Sequence, residues 1–362
     1  MSTVGVRQLN RWTLARQMLL ERAELDVVTA IERLAGMQAQ YSPSPYIGLW
    51  SRLQGFVRDE LESAVMEERV VKATLMRVTL HLVSARDFVP YRVAAPIPSQ
   101  VFVNTTRFLQ EIDVDVAAVH SRILADLREQ PLTRLELMAL ARRLVPAELP
   151  DWAAWGTVAL CGRLIPVPEG ARFGQFSGVK YRVAPQAEHD TLEAFRHIIS
   201  AYLSAFGPAS RADLSQWSGQ QINVLTPALN SLELLTFRSD DGRTLLDLPD
   251  APRPDEDGAV PVRFLPKWDN LLLAYQRRER VLPEELRKTV IRKNGDVLPT
   301  FLVDGVVAGT WEAPLRGKAI MKLTALQSIP SQVRREIEAE GERLLAWLRP
   351  ETERREIGWT AA

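Results

Sequence analysis

"HSRILADLREQPLTRLELMALARRL" (residues 120–144) and "FRHIISAYLSAFGPASRADLSQWSG" (residues 195–219) share one grammar. Pro131, Thr133, Arg134, Glu136 and Leu137 line up with Pro208, Ser210, Arg211, Asp213 and Leu214, a P-x-[ST]-R-x-[DE]-L pattern repeated at an offset of 77 residues. In each copy an apolar-periodic helix runs into a proline, which cannot continue it. Thr133 or Ser210 then caps the next helix, and the acid three residues on completes a capping box. This is the entry to a helix–turn–helix.

Both copies continue alike. After the second, residues 220–235 (QQINVLTPALNSLELL) read as a third helix, with Pro227 bending it or marking its start. "LTFRSDDGRTLLDL" then places two short strands around Asp241-Gly242, a strong hairpin signal. After the first copy come an aromatic helix around Trp152 and Trp155 and a long wing, "GRLIPVPEGARFGQFSGVKYRVAP". Three helices and a hairpin make a winged helix.

The N-terminal region reads as a diverged third copy. Helices are expected over residues 10–21, from an Asp26 cap to about Met37, and over residues 59–68. "RVVKATLMRVTLHLV" follows as two strands, and Ser84 with Asp87 opens a further helix as a capping box. The C-terminal part is β-rich. A strand begins at Val262, and turns at Asn294-Gly295 and Asp304-Gly305 punctuate a small sheet or half-barrel over residues 260–325. An amphipathic helix over residues 332–348 packs back, and residues 254–258 (PDEDG) form a linker. The expected fold is α+β, with tandem winged-helix motifs and a C-terminal β-rich sub-domain. Its parts are residues 1–115, 116–190, 191–252 and 259–362.

Composition narrows the function. The chain has 362 residues, 46% apolar and 25% charged, the profile of a soluble globular protein. No window of apolar residues is long enough to span a bilayer, and the start, MSTVGVRQLNRW, lacks a signal core, so a cytoplasmic protein is expected. One cysteine, Cys161, excludes an internal disulfide and a multi-cysteine zinc site. The four histidines lack metal-ligand spacing, and the phosphate-binding and nucleophile-elbow motifs are absent, so neither metal nor cofactor is expected. Formal net charge is zero, but residues 263–322 hold 12 Lys/Arg against 7 Asp/Glu, while residues 336–356 hold 7 acids against 4 arginines. A local basic surface therefore fits an overall neutral chain.

The segment "GMQAQYSPSPYIGLW" (residues 36–50) places Gln38 and Gln40 two residues apart where a helix ends. In a helix they point apart; in an extended chain they share a face. Pro43 and Pro45 favour extension of the residues before them. Two amides on one face can hold a water or grip a sugar-phosphate group, or simply cap loose carbonyls.

Four blocks, "GMQAQYSPSPYIGLWSRL", "LMRVTLHLVSARDF", "LPKWDNLLLAYQRRERVL" and "PTFLVDGVVAGTW", resemble landmarks of the winged-helix DNA glycosylases of the AlkZ/YcaQ type, over nearly the whole chain. The resemblance implies a concave DNA-binding surface, and places the chain in the Q-x-Q branch, with Gln38 and Gln40 as the catalytic pair. It implies hydrolysis of the N-glycosidic bond of N7-alkylated purines, bulky adducts or interstrand crosslinks among them, by a monofunctional enzyme. It further implies an open cleft and a hairpin that enters the DNA. Here that hairpin is expected at Lys293, Asn294, Gly295 and Asp296, with Asp304-Gly305 as the alternative. Arg277, Arg278, Arg280, Arg292 and Lys293 are the expected phosphate contacts, and Arg77 and His81 are placed in the same cleft as Gln38. The expected partner is double-stranded DNA containing alkylated purines, bound by a monomer without metal, cofactor or membrane. Two other readings fit the same residues: a non-catalytic winged-helix DNA-binding protein or transcription regulator, and a protein that sequesters adducted DNA without cutting it.

Overall fold

The computed structural model describes residues 2–95, 100–145, 148–162, 164–185, 188–255 and 257–360. The N-terminal region runs β1 (Thr3–Val4), α1 (Val6–Arg16), α2 (Val27–Arg33), β2 (Met37–Gln38), α3 (Pro43–Arg52), α4 (Arg58–Met66), β3 (Val70–Thr74), β4 (Leu80–Ser84), α5 (Ala85–Ala94) and α6 (Gln100–Glu111). The first repeat copy supplies α7 (Val116–Glu129), β5 (Leu132–Thr133), α8 (Arg134–Leu144), α9 (Asp151–Leu160), β6 (Leu164–Pro166) and β7 (Lys180–Val183). The second supplies α10 (Thr191–Phe206), α11 (Arg211–Ser218), α12 (Ile222–Asn230), β8 (Leu235–Ser239) and β9 (Thr244–Asp247). The rest is β10 (Arg263–Leu265), α13 (Asn270–Leu273), α14 (Glu284–Val290), β11 (Thr300–Val303), β12 (Val306–Glu312), β13 (Ala319–Ala325), α15 (Ser331–Leu348) and β14 (Arg355–Thr360).

The chain is α+β, with its strands dispersed among small sheets in the orders β2-β4-β3, β5-β7-β6 and β1-β8-β9, and one five-stranded sheet, β10-β11-β12-β13-β14. The two capping boxes of the repeat form. Thr133 and Glu136 close the start of α8, and Ser210 and Asp213 close the start of α11. Pro227 sits inside α12, and Gly242 at φ +81° turns β8 into β9.

Three local expectations give way. Asp26 caps α2 through the Val28 and Thr29 amides, but the helix stops at Arg33. Ala35 and Gly36 then take left-handed conformations (φ +55° and +81°) and swing the chain into β2. Pro43 and Pro45 do not extend their predecessors: Ser42 is helical, and both prolines lie in the first turn of α3, where a missing N–H costs nothing. The extension of Gln38 comes from pairing with β4 instead. At α5, Ser84 caps the Asp87 amide, while the Asp87 carboxylate turns to His197 and Arg86 rather than closing a box.

Buried apolar residues gather around α10, whose Tyr202 and Phe206 pack on Trp217 of α11. That core reaches into Leu265, Tyr275 and Leu302 of the C-terminal part. The first repeat copy has its own core around Ile123, Leu137 and Val158. Helix α1 ties the ends together. Arg16 makes a buried bidentate pair with Asp247 (2.7 and 2.9 Å), and Asn10 donates to the Arg280 and Gly305 carbonyls (2.5 and 2.9 Å). Among the described residues no helix is long and apolar enough to cross a membrane.

Candidate active site

Gln38 stands on β2 directly opposite His81 of β4, so their side chains share a face of that sheet. Gln38 is buried and Gln40 exposed. Between β3 and β4 the chain turns through Arg77 and Val78, at φ +54° and +57°. A left-handed β-branched residue is strained, and the turn spends that strain on aiming Arg77.

Arg77 reaches three groups. One terminal nitrogen donates to the Trp217 carbonyl at the end of α11 (2.6 Å). The other donates to Gln38 Oε1 (2.9 Å) and lies 3.4 Å from His81 Nε2. Since His81 Nδ1 is 2.9 Å from the Thr79 carbonyl, Nδ1 carries the proton and Nε2 accepts from Arg77. Burial, and then the Arg77 cation, push the His81 imidazole down to about 3, so it stays neutral. Arg77 is lowered to about 10 by burial and by the nearby Arg278, and remains a cation at neutral pH.

These contacts settle how the glutamines are turned. Arginine only donates, so the atom facing it must be the amide oxygen of Gln38, which leaves its NH2 as the open end. Gln40 Oε1 accepts from the Leu80 N–H at 3.4 Å, a long and weak bond on an exposed side chain.

Behind the pair, "GMQ" is sewn to "LPKWDN". Asn270 Nδ2 donates to the Gly36 carbonyl (2.8 Å), and Ser44 Oγ to the Lys267 carbonyl (2.6 Å). Arg52 and Asp269 form a buried bidentate pair at 2.9 and 2.9 Å. Gln38, Met37, Trp268 and Asn270 line one small cavity between the segments. Arg77 also opens onto a wider cleft, shared with Arg211, Gln216 and Gln220 around α11 and with Gln276. Among the described residues no cluster of His, Cys, Asp and Glu could hold a metal.

The expected DNA contacts fall into two groups. Arg292, Lys293, Asn294 and Gly295 are exposed on a turn closed by a bridge between Ile291 and Val297. That turn sits against the site: Gly295 accepts from Trp268 Nε1 (2.9 Å), and Asp296 pairs with Lys267 (2.8 Å). Arg277 is exposed and pairs with Asp241, while Arg278 is half-buried and donates to the Leu272 carbonyl. His81 and Arg280 do not face outward. His81 is fully buried, because its ring stands on the packed face of β4. Arg280 is 5% exposed, with its guanidinium over the Tyr275 ring (4.2 Å) and bonded to Thr13. Asp304-Gly305, the alternative hairpin, is clamped on α1: Arg7 and Arg11 pair with Asp304, and a Cβ at Gly305 would strike Leu14 and Asn10. Sequence reading gave no role to Arg211, although its place in the repeat motif signals it. It also gave none to Arg52, Asp269 and Asn270, whose charges and amides meet only across the fold.

A family model described as DNA glycosylase AlkZ-like matches residues 31–347. The chain is 26% identical over 334 residues to an interstrand DNA cross-link repair glycosylase of Streptomyces sahachiroi, covering 84% of this chain and 87% of that protein. The solved structure of the Streptomyces sahachiroi DNA glycosylase AlkZ is similar with a TM-score of 0.75, 22% identity and coverage of 99% of this chain and 100% of that one.

Proposed function

The chain belongs to the AlkZ-like DNA glycosylase family, and we propose that it hydrolyses the N-glycosidic bond of N7-alkylated purines in duplex DNA, crosslinked purines included, as a monofunctional enzyme. We read α7–α9 with β6–β7, and α10–α12 with β8–β9, as winged helices flanking a concave DNA surface. The division into residues 1–115, 116–190, 191–252 and 259–362 belongs to the same reading. The observation that carries the function is the Gln38–Arg77–His81 arrangement, in which a neutral amide is bonded to Arg77, itself part of the lining of a cleft shared with Arg211.

A neutral catalyst suits this substrate. Glycosylases that release an ordinary base must protonate it. An N7-alkylpurine is already cationic and departs with the C1′–N9 electron pair, which cancels its charge. The enzyme then needs only to hold water against the oxocarbenium-like C1′. Gln40, whose carbonyl is loosely held, accepts a hydrogen from the attacking water and aims its oxygen at C1′; the released proton goes to solvent. Gln38, its carbonyl fixed by Arg77, donates from NH2 to a sugar or phosphate oxygen. Asn294-Gly295 is the turn that enters the DNA, and Arg277, Arg278, Arg292 and Lys293 hold phosphates, joined by Arg77 and Arg211.

The test is a duplex carrying one N7-methylguanine, incubated with protein and then cut with mild alkali at abasic sites. Alanine at Gln38 or Gln40 is expected to lower cleavage by roughly 10²–10³-fold, the usual cost of one preorganised hydrogen-bonding group, with DNA binding nearly unchanged. Full excision by both variants would sink the assignment. In a binding titration, Arg292→Ala/Lys293→Ala weakens affinity for all sequences alike and lowers the salt slope by about one per lost phosphate contact.

A further inference from the structure

The residue after Gln40 is Tyr41, and its ring stacks on Phe176 with centroids 5.5 Å apart and planes 28° from parallel. Phe176 lies in the loop between β6 and β7, far away in sequence, and is 58% exposed. One ring face is covered by Tyr41, so the exposure belongs to the other.

The loop is not loosely draped. Phe173 packs edge-on to Tyr46 (5.3 Å) and under the Arg58 guanidinium (4.0 Å). Tyr46 donates to the Ala171 carbonyl (3.1 Å), and the buried Lys72 ammonium to the Gly170 carbonyl (3.0 Å). Gly174 and Gly178, at φ +74° and +68°, turn the loop on either side of Phe176. An anchored base thus carries the large apolar ring of Phe176 into solvent, stacked on the residue that follows the exposed Gln40. Burying such a ring stabilises a fold; exposing one on a braced loop leaves a π-face for a ligand.

We propose that Tyr41 and Phe176 form a stacking platform for the planar aromatic substituent of an N7-purine adduct, so that the enzyme selects extended aromatic lesions. This rests on the glycosylase reading above and names the substrate class of the same site. A methyl lesion does not reach the platform. A fused-ring substituent leaving N7 stacks on Phe176 while C1′ faces Gln40.

The experiment compares three duplexes, each with one guanine alkylated at N7: by methyl, by cyclohexylmethyl and by pyrenylmethyl. Excision kcat/KM is measured for the wild type, Phe176→Ala and Phe176→Trp. Base–aromatic stacking loses roughly tenfold or more on truncation. The expected result is a loss of that size for Phe176→Ala on the pyrenylmethyl lesion alone, restored by Phe176→Trp. An equal loss on all three lesions would assign Phe176 to a base common to every substrate and overturn the platform, as would no loss at all. So would a wild type that removes N7-methylguanine but not the pyrenylmethyl adduct, with the glycosylase reading intact. A wild type that removes none of the three defeats the glycosylase reading itself, and the platform with it.

Discussion

At the scale of single residues, the site is an exercise in removing ambiguity. A glutamine amide can turn either way, and a neutral imidazole has two tautomers. Here the Thr79 carbonyl selects the Nδ1–H tautomer of His81, the free Nε2 receives Arg77, and Arg77 selects the oxygen of Gln38. The chain of choices begins at a backbone carbonyl, which cannot change its mind. It also carries a pH signature. The His81 imidazole is lowered from its ordinary range to about 3, so between those values the unfolded chain binds a proton that the folded one does not. Its contribution to stability is therefore full above about pH 6.5 and is lost as pH falls toward 3, by roughly 2–3 kcal/mol at about pH 4.5. Urea midpoints of wild type and His81→Gln across that range check this, and the variant should show the shallower fall. Excision is expected to have no step near the ordinary histidine range on account of this residue.

At the scale of elements, the two repeat copies use one capping grammar in different surroundings. Thr133 and Glu136 close their box at the surface. Ser210 and Asp213 close theirs in the interior, where Asp213 is fully buried and its second oxygen accepts from the Gln276 N–H (2.8 Å). One carboxylate thus starts α11 and also pins the segment bearing Arg277 and Arg278. Asp213→Ala leaves buried donors unpaired at a cost of about 1–3 kcal/mol each, whereas Ser210→Ala removes one cap worth ~1 kcal/mol. Chemical denaturation should rank them in that order; equal losses would mean that the Gln276 contact contributes nothing. The motif was legible because capping is local chemistry. Its burial was not, since Glu136 and Asp213 play the same local part until the fold buries Asp213 and leaves Glu136 exposed.

At the scale of the whole molecule, the site exists because two segments more than two hundred residues apart are locked by Arg52 and Asp269. Removing one partner strands a buried charge, at a cost of about 3–5 kcal/mol, and replacing both with apolar groups recovers most of it. Asp269→Ala should therefore lower the thermal midpoint sharply, and Arg52→Met/Asp269→Leu should restore it. If the double variant were as unstable as the single, the pair would be holding more than its own charges. The same closure decided which arginines face outward: Arg277 and Arg280 belong to one basic run, yet Arg277 is exposed while Arg280 lies against Tyr275 and Thr13 of α1.

What the sequence determined by itself was everything set by neighbours along the chain. The caps at Asp26, Thr133 and Ser210, the turns at Gly242, Gly295 and Gly305, and the strands around Arg77 need only local backbone preferences. The resemblance of four blocks pointed to the family. Tertiary structure alone decided the rest. It drew Gln38 straight through pairing with β4 rather than through Pro43, buried His81, clamped the Asp304 turn on α1, and set Phe176 on Tyr41. The physical reason is range. A cap or turn is satisfied within four residues, whereas burial and the partner of a charge depend on segments that meet only when the chain has closed.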